Sequence, residues 1–444
     1  PPRSTLFPYT TLFRSAMPLM TDAAAVWTNA QSTRASLEAA IEEVVARVTA
    51  DLDGQPADFA IVFVSAAFAS EFSRVLPLLR EKIDVPLAIG CGSNGVVGRD
   101  ADGTTHELEE GAAVSLTVAH LPGVRAGAFQ LDASKLPDLD GPPNNWIDFI
   151  GLDPADSPQI MLLVDPFAPN IVDLLRGFDY AYPGMPKIGG IASGIRPGEQ
   201  NAGLFFCDAD GAKMVKGGAV GLALSGEVEL TTIVAQGCRP IGPIFRVAEG
   251  QRNVILQVEP CDDSYREESE TTSPLEALQA LLETLPEEDR ALAKYELFIG
   301  LVRDEFKLSL GSGDFLIRNL MGVDPRSGAV AIADRIRPGQ RIQFHLRDAR
   351  ASAEDLEALL ERDRGGNAPI GALMFACLGR GQGLYSEPDF DTKLFHEYCP
   401  DVPVGGCFCN GEIGPVGGST FLHGYRSGER RVGQEGRSRG SPDP

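Results

Sequence analysis

The chain has 444 residues, 43% of them apolar, and carries a formal charge of −23 from 39 basic and 62 acidic residues. That length allows about two to four ordinary domains with a substantial core. The acidic surplus argues against nucleic acid and anionic membrane surfaces as partners, because both require clustered Lys and Arg.

Two terminal segments read as foreign to the fold. Residues 1–16 contain PRSTLFPYTTLFRS and residues 429–444 read ERRVGQEGRSRGSPDP. Both resemble translated sequencing-adapter read-through, and the reading sets both aside as dispensable tails. Met17 is then a candidate start, and the polar stretch after it has no hydrophobic core of a signal peptide. No run approaches the roughly 20 apolar residues of a membrane helix. The eight cysteines are scattered, several of them in apolar runs, which suits reduced thiols in a cytoplasm better than a disulfide framework.

Residues 17–57 predict a helical segment. Within it Leu37, Ile41, Val44, Val45, Val48 and Leu52 recur at three- and four-residue steps and share one face. Three copies of one pattern follow: an apolar run, a helical stretch, a proline and a glycine-rich loop. The first runs from Ala60–Ser65 through a helix bearing Phe72, Val75, Leu76 and Leu79 to the loop IGCGSNG at 89–95. The second runs from Gln159–Asp165 to GGIASG at 189–194, and the third from Ile370–Cys377 to GGCFCNG at 405–411. Each loop leads on to a strand, at 111–120, 218–226 and 419–425. This alternation predicts an α/β fold of two fused repeat-built halves, with mixed β-sheets flanked by helices.

Between these copies, residues 132–145 read as a surface connection rich in Pro, Asp and Gly. Residues 259–272 form an acidic linker between the halves, most polar over Asp262–Thr272. Ser273-Pro274-Leu275-Glu276 is a capping box opening a helix over 273–284. Arg341–Asp348 alternates as a half-buried strand, and a helix opens near Ser352 with Leu356, Leu359 and Leu360 inward.

The glycine loops are the first candidate site. Glycine lets backbone N–H groups approach a carboxylate or phosphate closely, which singles out Gly90, Ser93, Asn94, Gly189, Gly190, Ser193, Gly405, Gly406 and Asn410. The competing reading is that these are only tight turns between strands. Arg239 lies between Cys238 and Pro240 in AQGCRPIG (235–242), a setting that suits either a bidentate carboxylate clamp or an interdomain salt bridge. Arg347 and Asp348 invite the same two readings. Cys407 and Cys409, with Cys91 and Cys377, suit a metal or redox site, or buried thiols packed on glycine. His106, His120, His345, His396 and His423 show no metal-site spacing; all read as core or rim histidines, with His423 the sharpest metal or haem candidate. There is no Walker loop and no interpretable nucleophile–base pair.

Several long motifs resemble the FIST family. AQGCRPIG (235–242) with Glu249-Gly250 and Asn253–Leu256, together with the GGIASG loop, is similar to a FIST N domain, here 58–258. Gly322–Gly328, Phe344–Asp348, Asn410–Gly418 and Phe421–Gly424 resemble a FIST C domain, here 273–428 and truncated where the family pattern continues into an apolar strand. The resemblance implies a bacterial sensory protein binding an amino acid or similar carboxylate metabolite and acting on a downstream signalling protein in trans. Its partners would include neither nucleic acid nor membrane. It also implies one alternative, a haem-dependent gas sensor, where the leading reading has no cofactor; the cysteines themselves leave another, a thiol-dependent enzyme using the interdomain cleft through Cys407 or Cys409.

Overall fold

The computed structural model describes residues 9–15, 25–195, 202–235, 237–261, 271–364 and 368–423. Strand β1 (Tyr9–Ser15) comes first in the chain. A first unit follows: β2 (Val26–Ser32), α1 (Leu37–Leu52), β3 (Phe59–Ser65), α2 (Phe72–Lys82), β4 (Ala88–Ser93), β5 (Val96–Arg99), β6 (Thr105–Leu108) and β7 (Val114–His120). A second unit repeats that order: β8 (Val124–Asp132), α3 (Pro143–Ile150), β9 (Gln159–Val164), α4 (Ile171–Ala181), β10 (Lys187–Ile191), β11 (Leu204–Asp208), β12 (Gly211–Val215) and β13 (Gly218–Gly226).

A third unit begins with β14 (Val228–Val234) and is interrupted by a barrel. The barrel comprises β15 (Cys238–Gln251), β16 (Val254–Pro260), β17 (Leu297–Val302), β18 (Phe315–Val323), β19 (Val330–Ile332) and β20 (Arg341–Arg347). Helices α5 (Pro274–Thr284) and α6 (Glu287–Ala293) lie between β16 and β17 in sequence. The third unit then resumes with α7 (Ala349–Asp363), β21 (Gly371–Cys377), α8 (Gln382–Tyr385), α9 (Phe390–Tyr398), β22 (Val404–Cys409), β23 (Glu412–Val416) and β24 (Ser419–His423). The fold is thus α/β in two repeat-built halves with mixed sheets flanked by helices. The structural repeat is threefold, and the barrel spans the junction of the halves.

The three sheets have matching strand orders: β2-β7-β3-β4-β11-β12, β8-β13-β9-β10-β23-β24 and β14-β1-β21-β22-β5-β6. The first unit's hairpin, β5–β6, joins the third unit's sheet. The second unit's β11–β12 joins the first unit's sheet, and the third unit's β23–β24 joins the second's. The hairpins therefore interlock the units in a closed ring. Each sheet is buried on both faces, which is why its central strands read as unbroken apolar runs. In β3, Ile61 and Phe63 face a core shared with Met161, Leu163, Leu373 and Phe375 of the other units. Their neighbours Val62 and Val64 pack under α1 and α2. Equivalent outer layers form under α3 and α4 and under α7 and α9.

Several predicted elements stand at their expected places, among them α5 with its full capping box at Ser273 and Glu276. The helix expected near Ser352 starts at Ala349, capped by Asp348. Four findings differ. The segment 17–57 contains strand β2, which pairs with β7 along its whole length. The glycine loops at 89–95 and 189–194 do not lead directly to the strands expected at 111–120 and 218–226, since the hairpins β5–β6 and β11–β12 intervene, too short to show a period; in the third copy the strand expected at 419–425 is itself the second strand of the hairpin, β24. The connection 132–145 carries the end of β8 and the first turn of α3, opened by Pro143. Finally, Tyr9–Ser15 pairs antiparallel with both β14 and β21, inside a sheet and not apart from the fold. Residues 262–270 of the linker and the tail 429–444 lie outside the described residues.

Candidate functional site

The three glycine loops converge at the centre of the ring. Gly90, Gly189 and Gly406 occupy equivalent parallel registers, opposite Val62, Leu162 and Met374. At each, a Cβ would overlap the carbonyl oxygen of that opposite residue. A Cβ on Gly190 would overlap Sγ of Cys409, and one on Gly405 would overlap Oγ1 of Thr117. Close backbone approach therefore selects glycine here.

The loops bind each other. Ser193 and Gly194 donate their amides to Gly92 O at 3.3 and 3.0 Å, and Asn94 N donates to Ser193 Oγ at 2.9 Å. Phe408 N donates to Gly95 O at 2.9 Å, and Ser93 Oγ to Phe408 O at 2.8 Å. Asn410 N donates to Ile191 O at 2.9 Å, and Ile191 N to Gly411 O at 2.7 Å. Gly90, Ser93, Gly189, Gly190, Ser193, Gly405 and Gly406 are buried, whereas Asn94 is exposed and Asn410 half-buried. Donors that point into a neighbouring loop are not free for an anion.

Cys407 and Cys409 lie in the same junction with their sulfurs 3.7 Å apart. Burial pushes both thiols up, further for Cys407, which removes thiolate character. Cys409 packs on Gly190, where a Cβ would overlap its Sγ, and both thiols are fully buried. His423 is buried, with Nε2 3.4 Å from Gly414 O. It is pushed down to about 3, first by burial and then by Arg318. These three residues do not fit a haem. Among the described residues no group of three or more His, Cys, Asp and Glu is placed to hold a metal ion.

Arg239 belongs to the barrel. Its Nε lies 2.6 Å from Asp348, and Nη2 pairs with Asp289. These two carboxylates raise its pKa further, with Asp289 the larger influence. Arg347 is buried against Glu296 at 2.8 Å. His345 is buried beside Phe315 and is pushed down to about 4 by burial. His106 bridges Asp389 at 3.0 Å and Asp100 at 3.1 Å, and His396 reaches Thr105 Oγ1 at 2.9 Å. His120 faces Asp58 at 3.6 Å.

A large concave surface lies elsewhere, between α4, the β23–β24 hairpin and the barrel. Two adjoining clefts of about 400 and about 1020 Å³ share Arg176, Asp334, Ser419 and Phe421. Arg303, Arg318, Arg335 and Arg337 come from the barrel side. The acids in the walls are engaged. Asp334 takes Arg318 Nε at 2.7 Å, Asp179 takes Lys187 at 2.9 Å and Thr420 N at 2.6 Å, and Glu305 takes Arg341 at 2.8 Å.

The cations exceed these partners. Arg303 Nε is buried without a hydrogen-bond partner, and burial lowers the pKa of this guanidinium against the pull of Asp314. Gly417, at φ +61, lets Arg303 lie against the hairpin, where a Cβ would overlap Nη2. The side chains of Arg335 and Arg337 have no partner among the described residues. In a chain this acidic, the groove is a local positive site suited to a small anion. Scattered arginines 176, 303, 318, 335 and 337 carry no sequence spacing, so a linear reading does not group them.

Comparison with known proteins agrees with this architecture. The FIST N domain model matches residues 58–259 and the FIST C domain model residues 277–415. An uncharacterised protein of Mycobacterium bovis is 31% identical over 386 residues, 86% of this chain and 92% of that protein. An uncharacterised protein of Mycobacterium tuberculosis is 30% identical over 397 residues, 89% of this chain and 96% of that protein. Human F-box only protein 22 is 34% identical over 105 residues, 22% of this chain and 25% of its own length.

Proposed function

The chain belongs to the FIST family, whose domains are recognised as sensory domains of signal transduction, and from that premise we propose that it senses a small anionic metabolite held in the arginine groove. The ligand class is an amino acid or a similar carboxylate. The signal passes in trans to a separate cytoplasmic protein. Among the described residues no helix is long and apolar enough to cross a membrane.

The observation that carries this reading is Arg303, a half-buried cation whose Nε lacks a partner. A desolvated, unpaired donor is costly, and a bound carboxylate removes that cost. The groove also joins separate bodies: α4 from the second unit, a hairpin from the third, and the barrel. A ligand that touches all three has different affinity for different settings of the barrel, which is the requirement for a sensor.

Titrating succinate, glutamate and glycine against the full chain tests the reading. A bound anion should raise the melting temperature with the logarithm of its concentration. Arg303→Ala should displace that rise to about ten- to a hundredfold higher concentration with the far-ultraviolet spectrum unchanged, and the ligand should be recovered chemically intact. Recovery of a converted product would replace the sensor with an enzyme, and absence of any shift would remove the groove as the site.

A further inference from the structure

The arginine groove changes character along its length. Its larger part, about 1020 Å³, is walled mainly by the barrel and the β23–β24 hairpin and holds Arg303, Arg335 and Arg337. Its smaller part, about 400 Å³, opens between α4, the hairpin and the barrel. The two parts meet at Arg176, Asp334, Ser419 and Phe421, so one ligand can occupy both.

The charged groups of the smaller part are matched from within. Asp179 accepts from Lys187 Nζ at 2.9 Å, from Thr420 N at 2.6 Å and from Thr420 Oγ1 at 2.7 Å. Arg318 donates through Nε to Asp334 at 2.7 Å, and through Nη1 to Ile317 O at 3.1 Å and Leu422 O at 3.3 Å. Asp334 also accepts from Arg335 N at 2.7 Å, and Arg176 reaches Asp173 at 3.4 Å. A second anionic group placed here would meet carboxylates and cations that already neutralise each other. In the larger part, by contrast, Arg303 Nε is buried without a partner.

What the smaller part still offers a ligand is apolar surface. Val172, on α4, is 51% exposed. Phe421 and Ala333 line the same cleft half-buried, together with the buried Leu175 and Leu422. An apolar wall open to water is stabilised by an apolar group that covers it, and ligand pockets commonly pair such a wall with a few polar anchors. The unmatched charge at one end and the apolar wall at the other therefore set a direction along the groove.

We infer that the groove selects monocarboxylates bearing an apolar tail, with the carboxylate against Arg303 in the larger part and the tail against Val172 and Phe421 in the smaller. This rests on the reading of the groove as the anion site and narrows its ligand class. The tail is the portion of such a ligand that packs on the apolar side chains of α4, so it ties the second unit to the barrel.

Isothermal titration of acetate, butyrate and hexanoate into the full chain tests the inference, with succinate as the four-carbon dianion to set beside butyrate. The dissociation constant should fall by about two- to fourfold for each added methylene, and butyrate should bind more tightly than succinate. In Val172→Asp, a change at an exposed helix position, the gain with chain length should vanish. A flat series in which acetate still binds, and binds more weakly to Arg303→Ala, would overturn the inference and leave the groove as the anion site. Tighter binding of succinate than of butyrate, or a chain-length gain that survives in folded Val172→Asp, would also overturn it. No binding by any member would remove the groove and the inference together.

Discussion

The glycine junction and the arginine groove are built from the two residue types that most readily suggest an anion site, and they use their polar groups in opposite ways. At the junction, backbone donors of one loop meet acceptors of the next, and the glycines admit a neighbouring strand's carbonyl rather than a ligand. In the groove, the carboxylates are engaged and cations remain over. Close approach is the common reason for glycine, whether what approaches is a ligand or a strand. Unmatched charge has fewer structural uses, so it discriminates better between packing and binding.

The sharpest way to break this comparison is Gly406→Val. Its side chain would overlap Met374 O, and backbone cannot yield as a flexible side chain can. A loss of ~3 kcal/mol or more, read by urea denaturation, is expected. A folded Gly406→Val protein that fails only in ligand binding would return the junction to candidate-site status.

The next effect concerns the first unit's hairpin, seated on the third unit's sheet. Burial and then Asp391 push Glu107 up to about 8, while Thr392 and Arg380 pull it down. Its folded value lies above the ordinary 4.5, so the folded state binds this proton more tightly. That stability is fully present below about pH 4.5 and is lost as pH rises toward 8. Glu107→Gln should flatten this part of the curve of melting temperature against pH. An unchanged slope between pH 5 and pH 8 would show that Glu107 is ionised in the fold.

Arg303→Ala should weaken carboxylate binding by about ten- to a hundredfold, the range for a charge-assisted contact, with little change in melting temperature. A large fall in stability with unchanged affinity would instead make Arg303 a packing residue. The smallest effect belongs to Arg239→Ala, which leaves Asp289 and Asp348 without their shared partner. At this partly exposed site the cost should be about 1 kcal/mol, with affinity for carboxylates unchanged. Loss of affinity without loss of stability would restore Arg239 as a clamp.

Much of the fold was legible from local signals. The apolar runs at Phe59–Ser65, Gln159–Val164 and Gly371–Cys377 became central strands because both their faces are buried. The capping box at Ser273 became the start of α5 because it depends on neighbours three residues away. Strand β2 escaped notice because WTNAQS carries few aliphatic side chains and sits at a sheet's edge. The exchanged hairpins β5–β6 and β11–β12 escaped because each is too short to show a period, whereas β24 of the third showed as the strand expected at 419–425.

By itself, the sequence determined the repeat, the α/β class and the family, since each rests on patterns that survive in one dimension. It also determined which glycines recur, but not what approaches them. The tertiary structure alone decided that the three loops face one another, because their partners lie about a hundred or more residues apart. It alone gathered Arg176 from a helix with Arg303, Arg318, Arg335 and Arg337 from a barrel, since charge complementarity depends on distance through space and not along the chain. And only the sheet pairing placed Tyr9–Ser15 between β14 and β21, because a strand's neighbours are set through space and not along the chain.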